Sequence, residues 1–233
     1  FSGLTLITVL ISLFAPAVGN FEKDLVAKGL SQAQTKMKLT RTNAENSQAT
    51  SFGVNKGVVI LGDSVALRSK DQIESSIDNV AIDAVVSRNL STINDLLKDY
   101  ADSNALAKDV VIAGGVNEID DYKGVINKMI KNLPKGHHII FVTPYNGSKS
   151  GSKAVSLVQL RKYELEMAKK YDFVTVADWY QVAKENISIW NGTDGVHFGS
   201  DSDSINRGAK LYTNTIKEAI AKANQKPVKG GKK

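Results

Sequence analysis

The 233-residue sequence predicts an α/β fold, a three-layer α/β/α sandwich around a five-stranded parallel sheet. Two patterns carry this expectation. Short, continuous Val/Ile-rich runs recur along the chain, and runs of that kind fit strands buried on both faces of a parallel sheet. Between them lie segments with apolar residues at helical spacing, so strand and helix alternate through five steps. A content of 42% hydrophobic and 23% charged residues is that of a folded, water-soluble body.

The first strand is predicted in "GVVILG" (57–62), followed by a helix in "SVALRSKDQIESS" (64–76). "NVAIDAVVS" (79–87) gives the second strand. In "STINDLLKDYA", Ile93, Leu96, Leu97 and Tyr100 share a helix face, with Ser91 as the expected N-cap. "DVVIAGG" (109–115) is the third strand, and the helix after it places Tyr122, Val125, Ile126, Met129 and Ile130 on one side. "HHIIFVTP" (137–144) and "FVTVADW" (173–179) are the fourth and fifth strands, flanking a helix over 154–171. The last helix, 204–223, is expected to turn Ile205, Leu211, Ile216 and Ile220 inward.

The termini differ from this body. Residues 1–20 carry no charge and stay apolar to Val18, close to the roughly 18–20 residues a membrane-spanning helix needs. They are expected to be the end of a transmembrane helix, with the chain the C-terminal part of a longer membrane protein. Residues 21–53 are polar and read as a linker, partly helical or disordered. The catalytic domain is expected over 54–223, and 224–233 as a disordered basic tail. Lysines 23, 28, 36 and 38 and Arg41 follow the apolar segment. Because long domains cross membranes largely regardless of charge, they leave its orientation open.

The net charge of +6 and pI near 9.3 favour anionic surroundings. Without an arginine stripe interleaved with aromatics, nucleic acid is not an expected partner. The absence of cysteine excludes disulfides, thiol catalysis and thiolate metal sites. No cofactor or metal is expected.

In parallel sheets reactive groups collect beyond the carboxyl ends of the strands. There the sequence puts Gly62-Asp63-Ser64, Ser87, Gly114 to Asn117, Thr143 to Asn146 and the loop after the fifth strand. His137 and His138 start a strand, the wrong edge for an active site, and are expected at the surface. His197 lies in "NGTDGVHFG" at the catalytic edge, three residues after Asp194. A turn of that length, relaxed by Gly195, lets the carboxylate hold Nδ1 and leaves Nε2 free to activate a serine hydroxyl. A serine at a strand-to-helix turn is most often a helix cap. Ser64 stands out because Gly-Asp precedes it and a histidine loop shares its rim. Asn117 has a carboxamide able to donate to a developing oxyanion, or to satisfy loop backbone.

Together, Gly62-Asp63-Ser64, Ser87, Gly115-Val116-Asn117 and Asp194-Gly195-Val196-His197 resemble the four blocks of the SGNH/GDSL hydrolases, in the family's order, over roughly 58–223. With an apolar segment and linker ahead, the chain most resembles the extracellular catalytic domains of peptidoglycan O-acetyltransferases, in which a membrane acyltransferase domain is fused to an SGNH domain. The resemblance implies a flavodoxin-like sheet, Ser64 as nucleophile, His197 as base and Asp194 as its orienting acid. It implies oxyanion donors at the Ser64 and Ser87 backbone N–H groups and the Asn117 side chain. It further implies acetyl transfer to the C6 hydroxyl of N-acetylmuramic acid, with glycan strands as acceptor and the donor delivered by a membrane domain. The localisation implied is the cell membrane, with this domain outside. Two positions depart from the family pattern: Ser87 stands where glycine is usual, and Val116 where threonine is frequent.

Arg88, Asn89, Tyr145, Asn146, Trp190 and Phe198 are expected around the rim, as sugar contacts or ordinary loop packing. Two rivals stand beside acetyl transfer. One is an esterase, deacetylase or lipase that uses the same triad to give the acyl group to water. The other is a non-catalytic module binding nucleotide or cell-wall polymer, against which stands the lack of G-x-G-x-x-G or a P-loop.

Overall fold

The computed structural model describes residues 52–117, 121–148 and 151–231. The expected transmembrane segment 1–20 and nearly all of the linker, 21–51, lie outside the described residues. Among the described residues, no helix is long and apolar enough to cross a membrane.

Five parallel strands form one sheet in the order β2-β1-β3-β4-β5. They are β1 (Val58–Gly62), β2 (Val80–Ala84), β3 (Asp109–Ala113), β4 (His138–Val142) and β5 (Val174–Ala177). Every residue of β1, β3 and β4 is buried, which is why these strands read as unbroken apolar runs. One core, around Ile60, Val111, Ile140, Trp179, Phe198, Tyr212 and Ile216, fills one face of the sheet. The other, around Leu61, Ile93, Leu97, Tyr100, Ile126, Met129 and Leu160, fills the opposite face. The helices are α1 (Ser64–Arg68), α2 (Lys70–Ser76), α3 (Leu90–Asp102), α4 (Tyr122–Asn132), α5 (Gly151–Lys170), α6 (Trp179–Glu185) and α7 (Ser202–Ala223), with a 3-10 turn at Ile187–Trp190.

Strand β1 lies between β2 and β3, so the chain leaves it at the point where strand order reverses. In open α/β sheets that crevice is the ordinary ligand site. The β1–α1 turn is tight. A Cβ on Gly62 would fall 2.6 Å from Ala66 Cβ and 3.1 Å from the Ala113 carbonyl oxygen, so only glycine fits.

Several local expectations are corrected. The first helix divides at Ser69, whose backbone N–H and Oγ both turn back to the Val65 carbonyl, a local bond that competes with helix continuation. Helix α3 is capped by Asn89, not Ser91: Asn89 Oδ1 accepts from the Thr92 N–H at 2.9 Å. In α7 the deepest face is Gly208, Tyr212, Thr213, Ile216 and Ala219, while Ile205, Leu211 and Ile220 are half-buried. Phe198 stacks directly over Gly208, where no side chain fits.

His137 and His138 are buried rather than exposed. His137 Nδ1 bonds the Ala107 carbonyl at 2.7 Å; His138 lies between the Asp109 carboxylate, 2.7 Å from Nδ1, and the Lys226 carbonyl, 3.1 Å from Nε2. The segment 224–231, expected as a disordered tail, covers these residues. Gly136 N–H donates to the Lys229 carbonyl, and Lys229 N–H donates to the His137 carbonyl. Lys229 Nζ donates to the carbonyls of Ile130, Lys131 and Leu133. The last carbonyls of α4 lack helical partners and attract a cation, which is what docks this lysine.

Candidate active site

Ser64 opens α1, and its Oγ lies 2.7 Å from His197 Nε2. His197 Nδ1 lies 2.7 Å from Asp194 Oδ2. The other carboxylate oxygen, Oδ1, accepts the backbone N–H groups of Val196 and His197 at 2.9 and 2.7 Å. Burial would raise the Asp194 carboxyl. The His197 N–H, the His197 ring and the Val196 N–H outweigh it, and its pKa falls to about 2. An ionised Asp194 holds the proton on Nδ1 and leaves Nε2 as the acceptor facing Ser64.

The loop that carries the pair depends on glycine. Gly192, Gly195 and Gly199 all have positive φ, at 68°, 78° and 78°. A Cβ on Gly195 would meet the Ser148 nitrogen at 2.5 Å, because the loop after β4 packs against it. There the Gly147 N–H donates to the Gly195 carbonyl at 2.9 Å, and Asn146 Oδ1 shapes the turn by accepting from the Ser148 N–H and hydroxyl. The sequence shows Gly195 but not this brace, which joins segments far apart in the chain.

Ser87 is exposed in the turn after β2, with φ of 61°. This is the left-handed region that favours glycine, so the serine at a usual glycine position keeps a glycine backbone. Arg88 holds that turn. Its guanidinium donates to the carbonyls of Gly62 and Asp83 and to Asp83 Oδ1, at 3.2, 2.7 and 3.0 Å. Asn117 Nδ2 donates to the Arg88 carbonyl at 3.0 Å, bringing Asn117 to the Ser87 turn.

The expected sugar contacts divide. Arg88 spends its donors on the ends of β1 and β2, Asn89 caps α3, and Asn146 closes its own turn. Phe198 is wholly buried against Trp179, Trp190 and Tyr212. Tyr145 and Trp190 are half-buried and pack together with ring centres 5.0 Å apart, while Trp190 Nε1 donates to the Ala183 carbonyl.

Behind α1 lies a small, open recess lined by Asp63, Gly114, Thr143, Tyr145, Trp179 and Tyr212. Asp63 caps α1, Oδ1 accepting from the Val65 N–H at 3.0 Å. Burial pushes its carboxyl up to about 7, against the pull of the Val65 and Ala66 N–H groups and the Arg88 charge. Among the described residues, no group of three or more His, Asp or Glu side chains is placed to hold a metal ion.

No protein-family model matches the chain. The chain is similar to the C-terminal catalytic domain of peptidoglycan O-acetyltransferase A (OatA) of Streptococcus pneumoniae, solved with a methylsulfonyl adduct. Identity is 45%, over 76% of this chain and 99% of that one, with a TM-score of 0.74. It is 28% identical over 165 residues to YrhL of Bacillus subtilis, a candidate peptidoglycan O-acetyltransferase. That match takes in 71% of this chain and 24% of YrhL, so the chain spans about a quarter of this curated relative. A G-D-S-L family lipolytic protein of Veillonella parvula shares the fold, at 14% identity over 71% of this chain and 98% of that one, with a TM-score of 0.56.

Two outcomes follow from the backbone and charge of the site. Left-handed serine costs about 1–2 kcal/mol and glycine's extra chain freedom roughly 0.5–1 kcal/mol. Ser87→Gly therefore stabilises the domain by up to about 1.5 kcal/mol and leaves turnover intact, because the backbone N–H at 87 remains. Urea unfolding and acetyl-ester turnover check both parts. The raised Asp63 pKa means that the fold favours its protonated form. Its contribution is fully present below the ordinary carboxyl value of 3.8 and is lost as pH rises through about 7. Asp63→Asn keeps a good cap and removes this titration, so unfolding free energies of the variant decline less than those of the wild type from pH 4 to 7. Parallel pH curves for the two proteins would contradict the assignment.

Proposed function

Because the chain belongs to the family of OatA C-terminal catalytic domains, we propose that it moves an acetyl group through an acetyl-serine at Ser64 to the C6 hydroxyl of N-acetylmuramic acid in peptidoglycan. The observation that carries this proposal is the unbroken Ser64–His197–Asp194 relay, with two contacts of 2.7 Å, at the strand-order reversal.

His197 Nε2 takes the Ser64 proton as Oγ attacks the acetyl carbonyl. The backbone N–H groups of Ser64 and Ser87 and the Asn117 carboxamide receive the oxyanion. Collapse expels the donor oxygen, which leaves with the proton from His197 and frees the base for a second cycle. The sugar hydroxyl then gives its proton to Nε2 and attacks the acetyl-serine, and the same proton returns to Ser64 Oγ as the ester of the sugar departs. Asp194, held ionised, offsets the imidazolium charge in both halves. Donors of this kind are worth about 10²–10³-fold each in rate. Arg88 contributes by fixing the Ser87 turn against the end of β1.

The similar OatA domain of Streptococcus pneumoniae is a C-terminal domain, and the match to YrhL takes in about a quarter of that protein. We accordingly assign the donor to a membrane domain outside this chain, and this domain to the outer face of the cell membrane, with the apolar segment 1–20 as its anchor.

Hydrolysis is the second reading, and the openness of the site favours it as a side activity: the His197 and Asp194 side chains are 33% and 57% exposed. Water and sugar compete for one acetyl-serine. Incubating the protein with an activated acetyl ester and muramic-acid-containing oligosaccharides should yield O-acetylated sugar alongside some acetate. Ser64→Ala should lower both by at least about 10³-fold. Free acetate without acetylated sugar would leave an esterase and overturn the transfer proposal.

A further inference from the structure

We propose that Arg68 is a positioning residue of this centre: it braces the loop carrying His197 against the helix carrying Ser64. Helix α1 is five residues long, with Ser64 at its first position and Arg68 at its last. Arg68 Nε donates to the Phe198 carbonyl at 2.8 Å and Nη2 to the Gly199 carbonyl at 2.7 Å. These are the two residues immediately after the base. The guanidinium also lies over the Phe198 ring, 5.9 Å from its centre, and its charge attracts Asp194.

A brace is needed because the 192–199 loop is glycine-rich and its base lies 133 positions from the nucleophile. Besides the Thr193 bonds to the Trp190 carbonyl, hydrogen bonds to other segments hold the loop. Gly147 N–H reaches the Gly195 carbonyl, Gly199 N–H reaches the Ile189 carbonyl, and Arg68 spans the Phe198 and Gly199 carbonyls. Of these, the Arg68 tie is the one that runs to the nucleophile's own helix. Its far end is rigid, since Phe198 is wedged among Trp179, Trp190 and Tyr212. Its near end is rigid too, since Val65, Ala66 and Leu67 of α1 are buried. The planar fork matches two successive carbonyls, a geometry that a lysine ammonium cannot reproduce. The pair is thus held as one body, and the Ser64–His197 distance does not depend on their single hydrogen bond.

The inference rests on the triad and not on the acceptor, so it is tested with a chromogenic acetyl ester, whose turnover requires no sugar. A base displaced by about 1 Å costs on the order of 10²-fold in rate. Arg68→Ala should therefore lower kcat about 10²-fold with KM unchanged, and should slow covalent labelling of Ser64 by methanesulfonyl fluoride in parallel. Arg68→Lys, which keeps the stem and one donor, should recover part of the loss, to within about tenfold of wild type. It carries the comparison alone if the alanine variant does not fold. Wild-type kcat in Arg68→Lys and Arg68→Ala would overturn the proposal. So would a raised KM at constant kcat, which would make Arg68 a substrate contact. Failure of sugar acetylation with these kinetics intact would count against the acceptor assignment alone.

Discussion

The 2.7 Å hydrogen bond between Ser64 Oγ and His197 Nε2 joins segments 133 positions apart, and the architecture around it exists to make it short. One partner leaves β1 through a turn in which Gly62 has no room for a Cβ between Ala66 and Ala113. The other sits on a loop that takes three positive-φ glycines and bends Asp194 back onto its own histidine. The serine turn leaves directly from a sheet whose central strands are buried on both faces, and the histidine loop follows α6 and the 3-10 turn beyond β5, so the reactive groups collect at the carboxyl-end side. Charge follows geometry: hydrogen bonds from the His197 and Val196 N–H groups keep Asp194 ionised despite partial burial.

The second half of the site is built from strain and anchoring. Ser87 holds a conformation ordinarily left to glycine, and Arg88 fixes it from behind through the carbonyls of Gly62 and Asp83. Asp83 is itself held by the Tyr100 hydroxyl. Asn117 closes the group by bonding the Arg88 carbonyl. A backbone that is costly at Ser87 persists because these partners over-determine it.

Much of this was legible in sequence for physical reasons. Strands buried on both faces leave continuous apolar runs, and the Asp194–His197 turn is a local feature of four residues. One miss was local: Asn89 and Ser91 are both chemically able to cap α3, and it is Asn89 that accepts the Thr92 N–H. The others were decided by distant partners. Arg88 looked available to substrate until the ends of β1 and β2 took its donors. His137 and His138 are polar residues whose burial depends on Ala107, Asp109 and the returning segment at Lys226. That segment looked like a solvated tail because the α4 carbonyls that hold Lys229 lie nearly 100 positions earlier. Phe198 flanks the base in sequence, yet it belongs to the core beneath it.

The proposed transfer requires a covalent acetyl-serine shared between sugar and water. Rapid-quench mass spectrometry of the peptide containing Ser64, after mixing with an activated acetyl ester, tests it most directly. An acetyl adduct should form on Ser64 and disappear faster when muramic-acid oligosaccharide is added. No adduct during turnover, or one that persists in Ser64→Ala, would contradict it.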